Sequence, residues 1–152
     1  MQDDADFTEF VTFTIAGQIF GLPIARVQDV FKPERITHVP LAGAQIAGVL
    51  NLRGRIVTVI DMRYRLEVKH REAGDAPMAI GIEAKGESFG LLVDTVGEVL
   101  KLPETDREPN PINLDRKLAA LAAGVYRLDG QLLVALDIDR VLDLRAEAAQ
   151  AA

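Results

Sequence analysis

The chain has 152 residues, a formal net charge of −6 and no cysteine, and 49 % of its residues are hydrophobic. This composition predicts a globular protein and excludes disulfides, thiolate metal sites and thiol catalysis. The acidic charge and the aromatic content of 5 % argue against nucleic-acid binding, which depends on clustered Lys and Arg or on stacking aromatic rings.

Short strands follow one another in the first half of the chain. Residues 7–15 alternate in polarity and are rich in Phe, Val and Thr, which indicates a half-buried strand. The next strand ends near Ile24, and residues 27–31 fit either a short strand or one helical turn. Residues 48–61 form two apolar runs around a Gly-containing turn, which is the pattern of a buried β-hairpin.

The second half of the chain repeats this pattern. Residues 124–137 match residues 48–61 without a gap at an offset of 76 (124 − 48). Residues 86–91 match residues 17–22 at an offset of 69 (86 − 17). The two offsets differ by seven residues, which predicts an insertion in the second copy, and the Pro-rich segment 103–113 is the obvious place for it.

Two similar halves joined by a linker are therefore expected, with the polar segment 69–77 as the linker. Short strands, tight turns and little helix favour two small β-barrels, barrel one at about 7–68 and barrel two at about 77–142, within one domain spanning 7–144. Because a half of about sixty residues is marginally stable alone, the halves are expected to share an interface. The sequence leaves open whether they exchange strands.

Two aspartates occupy equivalent places in the repeat. Asp61 and Asp137 each end an apolar strand, and an acid–base role for them is less favoured than capping of the helical turn that follows. A C-terminal helix is predicted over residues 138–150. The segments 1–6 and 145–152 are predicted to be flexible tails.

No group of residues indicates catalysis. His38 lies in a loop bounded by prolines and His70 lies in the basic linker, and neither has a second metal ligand or a nucleophile at suitable spacing. The glycines of residues 17–21 lack the Lys-Ser/Thr of a phosphate-binding loop. We therefore predict no catalytic residue, no metal site and no cofactor, and a protein that is not an enzyme.

The turn of the first hairpin breaks a local rule that the second hairpin keeps. Arg53 stands where the second copy has Asp129, which with Gly130 forms a preferred turn pair. A rule kept in one copy and broken in the other suggests selection for something besides folding. Further basic residues predict a basic face for a partner of opposite charge, with a merely solvated face as an equal alternative. These residues are Arg55, Arg63, Arg65, Lys69 and Arg71.

Residues 46–63, which include the motif Asn51-Leu52-Arg53-Gly54, resemble the hallmark of the CheW family of chemotaxis coupling proteins. So do residues 20–30 and 89–99, and the resemblance runs from about residue 7 to residue 144, which is almost the whole chain. It implies a mostly β fold of two SH3-like five-stranded barrels. It also implies a non-catalytic adaptor that joins the cytoplasmic tips of methyl-accepting chemoreceptors to the regulatory domain of the histidine kinase CheA.

The resemblance also implies two sets of binding residues. A kinase-binding patch on the first barrel maps to Val27, Asp29, Ala47 and Gly48. A receptor-binding groove between the barrels maps to Arg53, Met78, Gly90, Val96 and Val99.

The sequence also bears on the cellular location of the protein and on its alternative functions. The acidic start lacks the features of a signal peptide, and no apolar run approaches the roughly 18 residues of a membrane span. We predict a cytoplasmic protein, recruited to membrane-associated receptor arrays without direct membrane insertion. The alternatives are a CheW-like adaptor with an output other than motility and, less favoured, a small β-barrel that binds RNA or a small ligand.

Overall fold

The computed structural model describes residues 6–69 and 76–143. These residues form short strands linked by tight turns, with few helical turns, and residues 27–31 form a strand. The bounds are β1 Phe7–Ile15, β2 Gln18–Pro23, β3 Val27–Phe31, β4 Ile46–Leu52, β5 Arg55–Asp61, α1 Met62–Arg65, β6 Met78–Ala84, β7 Glu87–Val93, β8 Thr95–Pro103, α2 Arg116–Leu121, β9 Ala122–Leu128, β10 Gln131–Leu136 and α3 Ile138–Val141. Of the predicted C-terminal helix, residues 138–141 form α3, residues 142 and 143 are not helical, and residues 144–150 lie outside the described residues.

The strands form two five-stranded sheets, and each sheet contains strands from both halves of the chain. Sheet A has the order β8-β1-β2-β10-β9, and sheet B has the order β3-β6-β7-β5-β4. The predicted division into barrel one at about 7–68 and barrel two at about 77–142 is therefore wrong in its assignment of strands. Only Asp94 separates β7 from β8. Since a tight hairpin needs about two loop residues, β8 cannot fold back on β7 and joins the other sheet.

The exchange follows the internal repeat. In sheet A, β10 runs parallel to β2 and places Leu133 beside Ile19. In sheet B, β5 runs parallel to β7 and places Val57 beside Ser88. These pairs are related by the same two offsets found in the sequence, 76 (133 − 57) and 69 (88 − 19). The halves are thus arranged with approximate twofold symmetry.

Each sheet closes into a small SH3-like barrel through a bridge between its edges. The N–H of Thr37 donates to the carbonyl of Val49 at 2.8 Å, and the N–H of Glu108 donates to the carbonyl of Val125 at 2.8 Å. Thr37 and Glu108 are 71 residues apart (108 − 37). Two of the seven inserted residues therefore precede Glu108 and five follow it. The predicted insertion site 103–113 is thus only partly right, since the later residues belong to the segment that contains α2.

The largest hydrophobic core lies between the two sheets. It draws fully buried side chains from both, including Phe13, Phe20, Ile60, Ile80, Leu91 and Val134. Two smaller clusters fill the interiors of the barrels. Because burial of one such side chain contributes about 1.5–3 kcal/mol, this shared core makes the two barrels one cooperative unit.

Short helices after β5 and β10 complete the interface between the halves. Asp61 accepts a hydrogen bond from the N–H of Arg63 at 3.0 Å, and Asp137 accepts one from the N–H of Arg140 at 3.2 Å. These bonds confirm the predicted capping. The buried Arg65 of α1 donates through Nε to the carbonyl oxygen of Val141 in α3 at 3.0 Å. Arg65 and Val141 are equivalent in the repeat, so the two helices meet at the approximate twofold axis.

Candidate functional site

The tip of the β4–β5 hairpin is a two-residue turn in which both residues have positive φ. Arg53 has φ +51° and Gly54 has φ +85°. The β1–β2 and β6–β7 turns share this conformation, with Ala16 at φ +51° and Lys85 at φ +53°, whereas Asp129 in the equivalent turn does not. The left-handed region costs a non-glycine residue about 1 kcal/mol. The side-chain oxygen of Asn51 supports the turn by accepting from the N–H of Gly54 at 2.9 Å. The Arg53 side chain is 77 % exposed, so burial does not offset this cost.

Side chains at the hairpin tip contact the edge strand β3. Arg53 Nη2 lies 3.4 Å from Asp29 Oδ2, and Arg55 Nη1 lies 3.4 Å from Gln28 Oε1. Asp29 Oδ1 is buried against Gly81 and has no hydrogen-bond partner within the described ranges. The structure thus places Asp29 of the predicted kinase patch in contact with Arg53 of the predicted receptor groove.

The other predicted kinase-patch residues are partly or fully buried. Val27 packs against the core shared by the sheets, and Ala47 packs against the interior of the sheet B barrel. Gly48 is buried with φ +150°, and a Cβ there would lie against the carbonyl oxygen of Thr37 and 2.8 Å from Ile36 Cγ2. Gly48 therefore permits the close approach that closes the barrel.

The predicted receptor-groove residues fall into three settings besides the hairpin tip. Met78 and Val96 are half-buried and pack against the core between the sheets. Gly90 is buried inside the sheet B barrel, where a Cβ would touch Val57 at 3.4 Å. Val99 is 46 % exposed on the edge strand β8. The structure therefore brings Met78 and Val96 to the junction of the barrels but gives Gly90 no surface.

Three exposed apolar residues near these positions were not among the predicted site residues. Val30 and Ile36 flank the predicted kinase patch, and Ile56, beside the hairpin tip, is 63 % exposed. The repeat provides a signal for one of them, because Val30 is the equivalent of Val99 (99 − 30 = 69). Apolar side chains exposed on strands supply the contact area that protein interfaces use.

The predicted basic face is wrong for two of its arginines. Arg65 is buried against α3, and Arg63 forms a two-pronged ion pair with Asp94, with Nε–Oδ1 at 2.9 Å and Nη2–Oδ2 at 2.6 Å. Asp94 lies where the chain crosses from sheet B to sheet A, and it also accepts from the N–H of Ala16 at 2.8 Å. Both arginines thus hold the barrels together. Arg71 lies outside the described residues.

The titratable side chains of the described residues form no metal site. Among residues 6–69 and 76–143, no three His, Asp or Glu side chains lie close enough together to hold a metal ion. Burial raises the pKa of Tyr126, which opposes its ionisation, and the ring is part of the core of the sheet A barrel. His38 lies in an exposed loop, and His70 lies outside the described residues.

No helix of the described ranges combines the length and hydropathy that a bilayer crossing requires.

Comparison with known proteins agrees with this architecture. Residues 9–146 match the family model of the CheW-like domain. The chain is 29 % identical over 133 residues to the chemotaxis protein CheW of Rhizobium meliloti, covering 88 % of this chain and 86 % of that protein. It is 28 % identical over 135 residues to CheW of Bacillus subtilis, covering 89 % and 86 %. The crystal structure of the scaffolding protein TtCheW from Thermoanaerobacter tengcongensis aligns with a TM-score of 0.79 and 30 % identity, covering 90 % of this chain and 92 % of that one. The chain therefore belongs to the CheW family of chemotaxis scaffold and adaptor proteins.

Proposed function

We propose that this protein is a non-catalytic adaptor that couples the cytoplasmic tips of chemoreceptors to the histidine kinase CheA, at membrane-associated receptor arrays. Membership of the CheW family supports this assignment. The two-barrel architecture supports it as well, because a single rigid core carries exposed surface on both sheets.

The kinase-binding patch belongs to sheet B in this proposal. Its residues are Val27, Asp29, Ala47 and Gly48. The exposed Val30 and Ile36 extend the apolar area, while Gly48 acts by letting the β3–β4 connection approach at Thr37. An interface with a small apolar centre and few charges is typical of specific but moderate binding.

The receptor-binding groove follows the junction of the two barrels. Met78 and Val96 form its floor from opposite sheets, with Val99 and Arg53 on the exposed rim. Gly90 contributes from inside the sheet B barrel, where it leaves room for Val57.

Each of the two interfaces would have an affinity of about micromolar order, which an array strengthens by avidity. Signalling then corresponds to a coupling free energy of about 1–3 kcal/mol between the two sites.

Membership of the CheW family is the observation that carries the proposal. Arg53 is 77 % exposed at the hairpin tip and stands where the equivalent turn has Asp129. Its left-handed backbone belongs to the turn type, since Ala16 and Lys85 share it in two other hairpin turns. The long guanidinium can leave Asp29, at 3.4 Å, for a carboxylate of a partner.

Charge reversal and strain relief at Arg53 test the proposal together. We expect Arg53→Glu to keep the fold but abolish receptor-dependent kinase activation in reconstituted arrays. Arg53→Asn should raise the free energy of unfolding by about 0.5–1 kcal/mol, because Asn tolerates positive φ, and should also lose activation. The readouts are phosphorylation of the kinase and thermal unfolding.

Arg116→Glu is the matched control, since it makes the same charge change at an exposed residue of α2. It should leave activation unchanged. Normal activation by both Arg53 variants would contradict the role given to this residue. If the wild-type chain supports no kinase activation in the presence of matched receptors and kinase, the proposed function as a whole is contradicted.

A further inference from the structure

A cleft opens into the sheet B barrel where its two edge strands meet. It has a volume of about 500 Å³ and lies beyond the bridge between Thr37 and Val49. Its floor is apolar and consists of Phe31, Leu50 and Leu52. A volume of this order suits a ligand group as large as an aromatic side chain.

The equivalent seam of the sheet A barrel is filled by the protein itself. The Tyr126 ring is 1 % exposed, and the Phe10 ring packs against it edge-on with centroids 5.3 Å apart. Leu100 and Leu128, the equivalents of Phe31 and Leu52, line the same cluster. This barrel therefore shows that the seam accommodates aromatic rings.

The sheet B barrel lacks both rings at the matching positions. Leu50 stands where sheet A has Tyr126 (126 − 50 = 76). Ala79 stands where sheet A has Phe10 (79 − 10 = 69). Phe31 in place of Leu100 restores only part of this volume. Because Leu50 lines the cleft and Ala79 does not, the cleft corresponds to the space that the Tyr126 ring occupies in the other half of the molecule.

Two cations and one carboxylate line the mouth of the cleft. Lys32, Arg35 and Glu34 are all exposed, so the charged lining has a net charge of +1 (two cations less one carboxylate). Neither cation forms an ion pair with another residue of the described ranges. The equivalent of Lys32 is Lys101, whose ammonium lies 5.1 Å from the centroid of the Phe7 ring. A cation at this rim position is thus already seen beside an aromatic ring in sheet A. In sheet B the pair favours an anionic ligand next to an apolar one.

Backbone groups of the edge strand β4 also face the cleft. Val49 directs its N–H and carbonyl toward Thr37, outside the β4–β5 ladder. Since successive strand residues direct their backbone groups to alternate sides, Asn51 directs its N–H and carbonyl to the same side as Val49. An extended peptide can use such groups for strand addition.

We propose that this cleft is a docking site for an extended acidic segment of a partner protein, which inserts one aromatic side chain between β3 and β4. The aromatic ring takes the place that Tyr126 takes in sheet A. Flanking carboxylates pair with Lys32 and Arg35, and the peptide backbone bonds to Asn51. The site shares no named residue with the surfaces in the proposed function, although it adjoins the kinase-binding patch along β3 and β4.

Tryptophan fluorescence can test the proposal directly, because the chain contains no Trp. The probe is a blocked pentapeptide with a central Trp flanked by Asp residues. We expect saturable binding to the full-length protein with a blue shift of the Trp emission as the indole leaves water. A Trp peptide with Lys in place of Asp should bind at least about tenfold more weakly. An unlabelled peptide with Ala in place of Trp should displace the Trp probe only at a concentration at least about tenfold higher than that at which the Trp peptide itself binds.

Two protein variants locate the binding. Leu50→Tyr installs the residue of the equivalent seam, fills the cleft and should abolish binding of the Trp probe. The double variant Lys32→Glu with Arg35→Glu changes only exposed side chains and should weaken binding about tenfold or more. Arg26→Glu with Arg116→Glu makes the same charge change elsewhere and should leave the affinity unaltered.

Loss of binding in the rim variant but not in its control would support the site, even if Leu50→Tyr failed to fold. The proposal is overturned if the Trp probe fails to bind the wild-type protein at millimolar concentration. It is also overturned if the rim variant and its control bind the probe equally well. The assay contains neither receptor nor kinase, so its failure leaves the proposed adaptor function standing.

Discussion

Gly48 shows how a residue assigned to a binding patch can act through backbone geometry. It is buried, its φ is +150°, and a side chain there would meet the backbone of Thr37 in the connection between β3 and β4. Substitutions at such a position disturb the seam that closes the barrel. Loss of partner binding in a Gly48 variant would then report on the fold of the sheet B barrel and not on a direct contact.

A pair of alanine substitutions separates backbone strain from steric clash. Gly48→Ala should lower the free energy of unfolding by about 3 kcal/mol or more, because both effects apply. Gly54→Ala has φ +85° with no atom within 4 Å of the new Cβ, and should cost only about 1 kcal/mol. Urea unfolding followed by circular dichroism measures both values. Equal losses would contradict the assigned clash with Thr37.

Among the elements, the connection from β7 to β8 carries a largely buried ion pair between Arg63 and Asp94. The Arg63 and Asp94 side chains are only 17 % and 20 % exposed, and their short, two-pronged geometry is well satisfied. Asp94 also accepts from the turn between β1 and β2 through Ala16. One residue thus links α1, sheet A and sheet B. The repeat has no second copy of this link, since Asp139 is the equivalent of Arg63 (139 − 63 = 76).

Removal of the Asp94 carboxylate should therefore destabilise the protein. We expect Asp94→Ala to lower the free energy of unfolding by about 2–4 kcal/mol, because Arg63 and the N–H of Ala16 lose their acceptor. The comparison is Glu108→Ala, which removes an exposed pair with Arg127 and should cost about 0.5 kcal/mol. If chemical denaturation gives similar losses for the two variants, the tie between the sheets is not a major source of stability.

The whole molecule is held together by exchange of strands between its halves. Each barrel contains two strands of one half and three of the other, and the largest core lies between the sheets. A half released from its partner would lose sheet neighbours and core at once. Cooperative unfolding of both barrels is the consequence, which suits an adaptor that must transmit a change from one surface to the other.

Expression of the halves as separate chains tests this dependence. Residues 1–69 and residues 76–152 should each be unfolded alone, because each would expose most of the shared core. An equimolar mixture should regain β-structure and the dispersed amide spectrum of the intact protein. Circular dichroism and heteronuclear NMR of the three samples provide the measurement. Independent folding of either half would show that exchange is not required for stability.

The sequence by itself determined the strands, the repeat, the caps and the family resemblance, because periodicity, turn chemistry and short-range spacing are local properties. Asp61 and Asp137 cap their helical turns as the sequence predicted. The same reasoning identified Arg53 as an exception before its backbone conformation was known. Repetition strengthened each of these interpretations, since every feature could be compared with its counterpart.

Only the tertiary structure decided which strand pairs with which, and hence where the barrels and their surfaces lie. A repeat is compatible with two contiguous barrels or with two exchanged ones, since the local hydrophobic pattern is the same in both. Whether Arg63 and Arg65 are exposed or buried depends on this arrangement of strands, because their partners Asp94 and Val141 come from the other half of the chain. The cleft beside Leu50 has the same origin, since its size depends on what faces it across the seam and not on its neighbours in sequence.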